Sequence, residues 1–318
     1  MTPRLIRTAH APLLLCRRIC RCLISIFILS GVAGCPPRET PRFEEGPPRV
    51  LRTTDEIIET INSNAARLDQ ALWSSSVSAT GHYKDREGKE HSFNFDGSLL
   101  FKRPRNFRMD LRPGLGEQVM QIGSNEETFW VWIEPEIHSM HWGHHRNAGM
   151  PCCGKMPVRP DQLVSALLVG GLPGESEGLY GPIRDSRAAY DVLTYHRAAP
   201  RAEYRRYYVD RDPPHLVRLV VFRDELGRDV MSAYLTDYKT AWEGGPMLPY
   251  DVSMMWAQDG AKLTMSVAAY QPRRDDEVSP KAFNMPNPTA LPAGIDRVVQ
   301  VDADCETAET APPDSQAD

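Results

Sequence analysis

The chain has 318 residues, 41% of them apolar, and a formal net charge of −5 at pH 7. That length suits one large β domain or two small domains. The acidic balance argues against a nucleic-acid partner, which needs a basic face.

The chain opens on a processing signal. Arg4, Arg7, Arg17, Arg18 and Arg21 precede an apolar run from Leu23 to Ala33, and residues 1–34 hold no acid. The run is about 11 residues, too short for a helix to span a bilayer core, which takes about 20. A basic start, a short apolar region and small residues before a cut describe a secretory signal peptide. Val32-Ala33-Gly34-Cys35 resembles the lipobox of bacterial lipoproteins. That resemblance implies cleavage before Cys35, acylation of its thiol and a lipid anchor in the membrane. An ordinary signal peptide that happens to hold a cysteine is the plainer alternative. Cleavage removes five arginines, so the mature chain carries a charge near −10. A polybasic membrane patch is therefore not expected, and stable anchoring takes two or more acyl chains. Cys35, Cys152, Cys153 and Cys305 would remain, which is not a disulfide framework. Adjacent Cys152 and Cys153 would bridge each other only with strain, whereas either could bridge to Cys305.

Residues 35–51 are proline-rich and charged, and read as an extended tether. A helix should follow. Thr53 and Glu56 have capping-box spacing. Ile57, Ile61, Ala65, Leu68 and Leu72 then recur at three- and four-residue steps, predicting a helix to about Ser74. Beyond it the period falls to two. Phe93, Phe95, Leu99 and Phe101 share one strand face, with a bulge expected at Asp96-Gly97. Lys102–Arg105 makes a turn, and Phe107, Met109 and Leu111 line the returning strand. Residues 119–135 read as a hairpin turning near Gly123–Glu126. Strand-like runs with turn signals between them continue to about residue 270. A second short helix is expected over 160–169, with Pro160 in its first turn and Gly170-Gly171 closing it. Residues 289–318 read as a disordered acidic tail, since 302–318 carry six acids and no base.

Roughly ten strands without crossover helices exclude a doubly wound parallel sheet. A large antiparallel sheet must bury one face. The expected fold is mainly β with some α: a curved antiparallel sheet over 52–288, with the helices covering its concave face.

Several stretches then resemble the bacterial lipoprotein-localisation family of the periplasmic carrier LolA and its outer-membrane receptor LolB. They are "GSLLFKRPRNFRMDL", "IGSNEETFWVWIEP", "YYVDRDPPHLVRLVVFRDELGRDV" and "AFNMPNP". The resemblance implies an incomplete barrel lidded by helices around a cavity for acyl chains. It implies a non-catalytic carrier of lipid or of lipoprotein acyl groups, needing no cofactor. It also implies that Arg103, the arginine of Lys-Arg-Pro, closes the lid by hydrogen bonds to lid backbone. Phe101, Phe107, Trp130 and Trp132 are the candidate ligand-lining residues, although strand aromatics more often fill a core. Burying a palmitoyl chain is worth on the order of 10 kcal/mol before entropy costs, so such a site leaves no sharp motif. Pro36 after the cysteine favours the outer membrane, facing the periplasm, where the host sorts lipoproteins as enteric bacteria do. The chain departs from the carrier in its lipobox, its 142–160 insertion and its tail. An envelope interaction or sensor module on the same fold, binding a protein partner, is the alternative function.

Other chemistry is weaker. His138, His141, His144, His145, Cys152 and Cys153 are potential zinc or copper ligands, but their spacing matches no zinc pattern. No metal site is assigned. Gly174–Gly178 matches G-x-S-x-G without the strand before it and helix after it that a nucleophile elbow needs.

Overall fold

The computed structural model describes residues 52–84, 88–114, 116–134, 138–148, 150, 153, 156, 158–167, 169, 171–173, 178–184, 190–197, 203–257, 260–287 and 294–305. The leader at 1–34, Cys35, the tether, Cys152, Gly174 to Glu177 and the end of the tail lie outside the described residues.

Helix α1 spans Thr54–Ala66 and α2 spans Pro160–Ala166. The strands of the first half are β1 (Ala71–Lys84), β2 (Glu90–Lys102), β3 (Asn106–Arg112), β4 (Met120–Ser124), β5 (Thr128–Ile133) and β6 (Ser139–His144). Those of the second half are β7 (Leu179–Arg184), β8 (Tyr190–Arg197), β9 (Glu203–Asp210), β10 (Val217–Arg223), β11 (Asp229–Thr240), β12 (Met247–Trp256), β13 (Ala261–Val267), β14 (Gln271–Arg273) and β15 (Arg297–Gln300). They form one large, curved, unclosed sheet in the order β15-β6-β5-β4-β3-β2-β1-β13-β12-β11-β10-β9-β8-β7, with β14 beside the start of β1. Neighbouring strands are consecutive in the chain except for β1 with β13, β1 with β14 and β6 with β15, and the β1–β13 pair joins the two meanders. All pairings are antiparallel but β15 with β6.

Local chemistry sets these elements. Glu56 N donates to Thr53 Oγ1 at 3.2 Å and Thr53 N to Glu56 Oε2 at 2.7 Å, so the capping box starts α1. The helix stops at Ala66, eight residues before the expected end. Leu72 belongs to β1, the longest strand, which pairs with β2 on one side and with β13 and β14 on the other. Hydrogen bonding on both edges there outweighs the helical spacing of Leu68 and Leu72. Val77, Ala79 and Tyr83 point inward along β1. The bulge expected on β2 lies on its partner instead, between Ser74 and Val77.

One face of the sheet carries the main core. Leu99 and Phe101 on β2, Phe107, Met109 and Leu111 on β3, Val131 on β5, Val252, Met254 and Trp256 on β12, and Leu263 and Met265 on β13 all contribute. Ile57, Ile61 and Leu68 from α1 and Leu163 and Val164 from α2 complete it. The helices therefore cover the apolar face, as expected.

The region after 288 departs from the sequence-based expectation. A structureless tail was expected, yet β15 adds a strand beside β6, and Val301 enters the main core. Asp302 is fully buried and accepts from His144 N at 3.0 Å and Asn147 Nδ2 at 2.8 Å. Cys305 is disulfide-bonded. The acidic composition that suggests disorder is offset by the buried Val301 with the partly buried Val299 beside it, a buried carboxylate with donors and a covalent link.

Candidate functional site: a fastened cover over an apolar face

The covering helix is held by its polar residues at several points. At its start, Thr54 Oγ1 donates to Gly181 O on β7. Arg52 pairs with the buried Asp191 of β8 at 3.3 Å. In its middle, Asn62 Nδ2 donates to Leu172 O at 3.1 Å and Asn62 Oδ1 accepts from Leu172 N at 2.7 Å. Asn64 does the same to Met247 at the head of β12, at 2.9 and 2.7 Å. At its end, Arg103 Nη1 in the β2–β3 turn donates to Ala65 O at 3.1 Å. Ala65 O also accepts from Leu68 N at 3.0 Å, so the guanidinium adds a second donor to a carbonyl at the end of the helix. Asn62 and Asn64 escaped the sequence reading. Their signal was faint: two carboxamides beside an apolar stripe, each able to pair with both backbone groups of one residue.

Removing the Arg103 side chain should loosen this end. Arg103→Ala is expected to raise hydrogen exchange at residues 62–68 about tenfold, the equivalent of one charged hydrogen bond. Unchanged exchange there would remove Arg103 from the closure.

Helix α2 covers the neighbouring strands. Trp256 Nε1 donates to Gln162 Oε1 at 2.8 Å. Arg159 lies over the Phe129 ring at 5.7 Å and grips Asp161 through two hydrogen bonds of 2.9 and 2.8 Å. Burial pushes the Asp161 carboxyl up, but Arg159 and its hydrogen bonds bring it below its ordinary value. Burial holds the His145 imidazole below its ordinary value, against the pull of Asp161.

Between cover and sheet lies a crevice lined by Leu72, Leu99, Phe101, Leu167, Val169, Leu248, Pro249 and Tyr270. Its volume is about 10 Å³. Ligand pockets run from roughly 300 to 1,000 Å³, so the crevice admits no acyl chain as it stands. This crevice is not the hollow interior that the family resemblance implies. Phe101, Phe107, Met109 and Trp256 fill the face, and the helices settle onto them because voids forfeit dispersion contacts.

The candidate residues divide between the faces. Phe101 lines the crevice and Phe107 is buried beside it in the main core. Trp130 and Trp132 lie on the opposite face, in a second apolar cluster with Met140 and Ile295. They do not line the covered face. The reason is strand alternation: Phe129, Val131 and Ile133 take the inner positions of β5, so the tryptophans face outward. The chain after β14 covers them. Arg108 Nη1 donates to Ala282 O and Asn125 Nδ2 to Phe283 O, both at 3.3 Å. Trp130 Nε1 donates to Gln121 Oε1 at 2.8 Å beneath this strap.

The histidines diverge. His138 Nδ1 lies 2.9 Å from Gly294 O, and His141 Nε2 the same distance from Ser139 Oγ. His144 pairs with Asp302, and His145 Nε2 sits 3.0 Å from Ser124 Oγ. Among the described residues no three His, Cys, Asp or Glu side chains converge on a metal position. No described helix is long and apolar enough to cross a membrane.

No family model and no curated protein matches the chain. Solved structures do match. One is an outer-membrane lipoprotein-sorting protein domain from Vibrio parahaemolyticus, with a TM-score of 0.47 and 10% identity, covering 73% of this chain and 97% of that one. Another is a LolA superfamily protein from Nitrosomonas europaea, with a TM-score of 0.45 and 14% identity, covering 74% of this chain and 99% of that one.

Proposed function

We propose that this is a non-catalytic envelope protein that takes up a lipid, or the acyl chains of a lipoprotein, between the sheet and its helical cover. The observation that carries the reading is the manner of closure. An extended apolar face is covered by a helix tied down by side-chain hydrogen bonds, chiefly those of Thr54, Asn62, Asn64 and Arg103. Such ties exchange for water at modest net cost, about 1 kcal/mol each. Opening then exposes apolar surface, and an acyl chain that replaces the cover regains it at about 0.8 kcal/mol per CH₂. The described state is the closed one. Cys35 would anchor the chain by lipid, in the outer membrane facing the periplasm, with the tether giving the folded part reach.

Mass spectrometry of mature protein purified from membranes tests both parts. The expected spectrum holds an acylated N-terminal Cys35, and organic extraction releases a second, non-covalent lipid. Protein that is repeatedly empty would sink the carrier reading. The packing of Phe101, Phe107, Met109 and Trp256 favours a second reading, in which the same fold is an interaction or sensor module for another envelope protein. Acylated but empty protein is the outcome that supports it.

A further inference from the structure

The outer face of the sheet changes character along one cross-strand row. From β7 to β11 the row reads Ile183, Val192, Tyr208, Leu219 and Tyr234. On the strands that follow it reads Ser253, Thr264, Thr80 and Asn94. The apolar part is about 19 Å across at the ordinary strand spacing. Ile183 is 59% and Tyr234 42% exposed, and the three side chains between them are half-buried. The other exposed large apolar side chains among the described residues, Tyr180, Leu226 and Met255, also belong to the second meander. On the first meander the outer tryptophans are instead covered by Ile295 and the strap at 282–283.

A contiguous exposed apolar stripe calls for an occupant. Two observations point to a bilayer surface. The next outer row, from Tyr180 across to Lys262, holds the cations Arg206 and Lys262 and no acid, although the mature chain as a whole is acidic. Tyrosines with an apolar body and a polar tip suit the membrane–water boundary, and cations beside them suit lipid phosphates. The second observation is where the chain enters the fold. Arg52 donates to Asp191 Oδ2 on β8 and to Asp210 O on β9, both at 3.3 Å, and Thr54 Oγ1 donates to Gly181 O on β7. The tether therefore joins the body at the edge that carries the stripe. Residues 36–51 give it a reach of at most about 55 Å from Cys35.

We propose that the outer face of β7 to β11 rests on the membrane, with Ile183, Leu219 and Tyr234 in the head-group layer and Arg206 and Lys262 against lipid phosphates. This rests on the lipid-anchored reading above, which sets the side from which the bilayer approaches.

The test is co-sedimentation of the full mature chain bearing Cys35→Ser, which cannot be acylated, with phosphatidylcholine–phosphatidylglycerol vesicles. This chain should bind without its anchor. Ile183→Glu with Tyr234→Glu should weaken binding at least about tenfold through lost apolar transfer. Ser92→Glu with Asn94→Glu, which adds the same charge at exposed positions on the polar strands, should leave it unchanged. Near-ultraviolet circular dichroism checks that all variants keep the native packing. Absence of binding by the parent, or equal binding by parent and Ile183→Glu/Tyr234→Glu, would overturn the proposal. A parent that dimerises without vesicles, where that variant does not, would make the face an interface between copies and overturn it as well. None of these results touches the anchor, because acylation of Cys35 is read separately by mass spectrometry.

Discussion

Ile57→Asp should release α1 from the sheet. Ile57 is fully buried in the first half of the helix's apolar stripe. The substitution removes about 1.5–3 kcal/mol of apolar burial and places a carboxyl where no partner waits for it. The combined cost should be on the order of 4 kcal/mol, enough to leave the cover open in most molecules if the closed state is only marginally favoured. Two measurements read the result. Amides of 54–66 should lose hydrogen-exchange protection, and a dye that lights up on apolar surface should bind. The β1, β2, β12 and β13 amides should stay protected, because those strands hold one another through long ladders. Global loss of protection would make α1 part of a single indivisible core and end the idea of a hinged cover.

Gly97→Ala should be the most damaging of the small substitutions. A Cβ at Gly97 would lie 1.9 Å from the Asp110 carbonyl oxygen and 2.9 Å from its carbon. Both are backbone atoms of the adjoining β3 strand, so no side chain can swing away. Asp110 is itself held on the outer face by Arg108, Gln118 and Gln121 at 2.8, 2.6 and 2.7 Å. Relief requires β2 and β3 to separate locally, opposite the β1 bulge. A loss of about 3 kcal/mol or more is expected, which for a domain of this size lowers the melting temperature by roughly 10 °C. Gly227→Ala is the control. It has φ +75° but nothing within 4 Å of a new Cβ, so it should cost only the backbone strain of about 1 kcal/mol. Equal melting temperatures for Gly97→Ala and the parent would refute the close approach.

The difference between the two tryptophan expectations shows where sequence reading fails. Alternation along "TFWVWI" places Phe129, Val131 and Ile133 on one face and Trp130 and Trp132 on the other. It cannot say which face is inside when both are apolar. The answer came from residues far away in the chain: Ile295 and the strap at 282–283 cover the tryptophans, and α2 approaches the other side. For Arg103 the turn alone carried no role, and the expectation came from the family resemblance; its Nη1 donates to Ala65 O at the end of α1.

The chain by itself determined the local order. Capping at Thr53, the two-residue period of the strands and the turns between them follow from short-range sterics and hydrogen bonding, which neighbouring residues settle alone. Tertiary structure decided where α1 yields to β1, which side of β5 faces inward, that the chain at 294–305 is folded, and which side chains pack under the cover. Those outcomes depend on which distant surfaces compete to bury the same apolar area, and that competition is resolved only when the whole sheet and its helices have packed together.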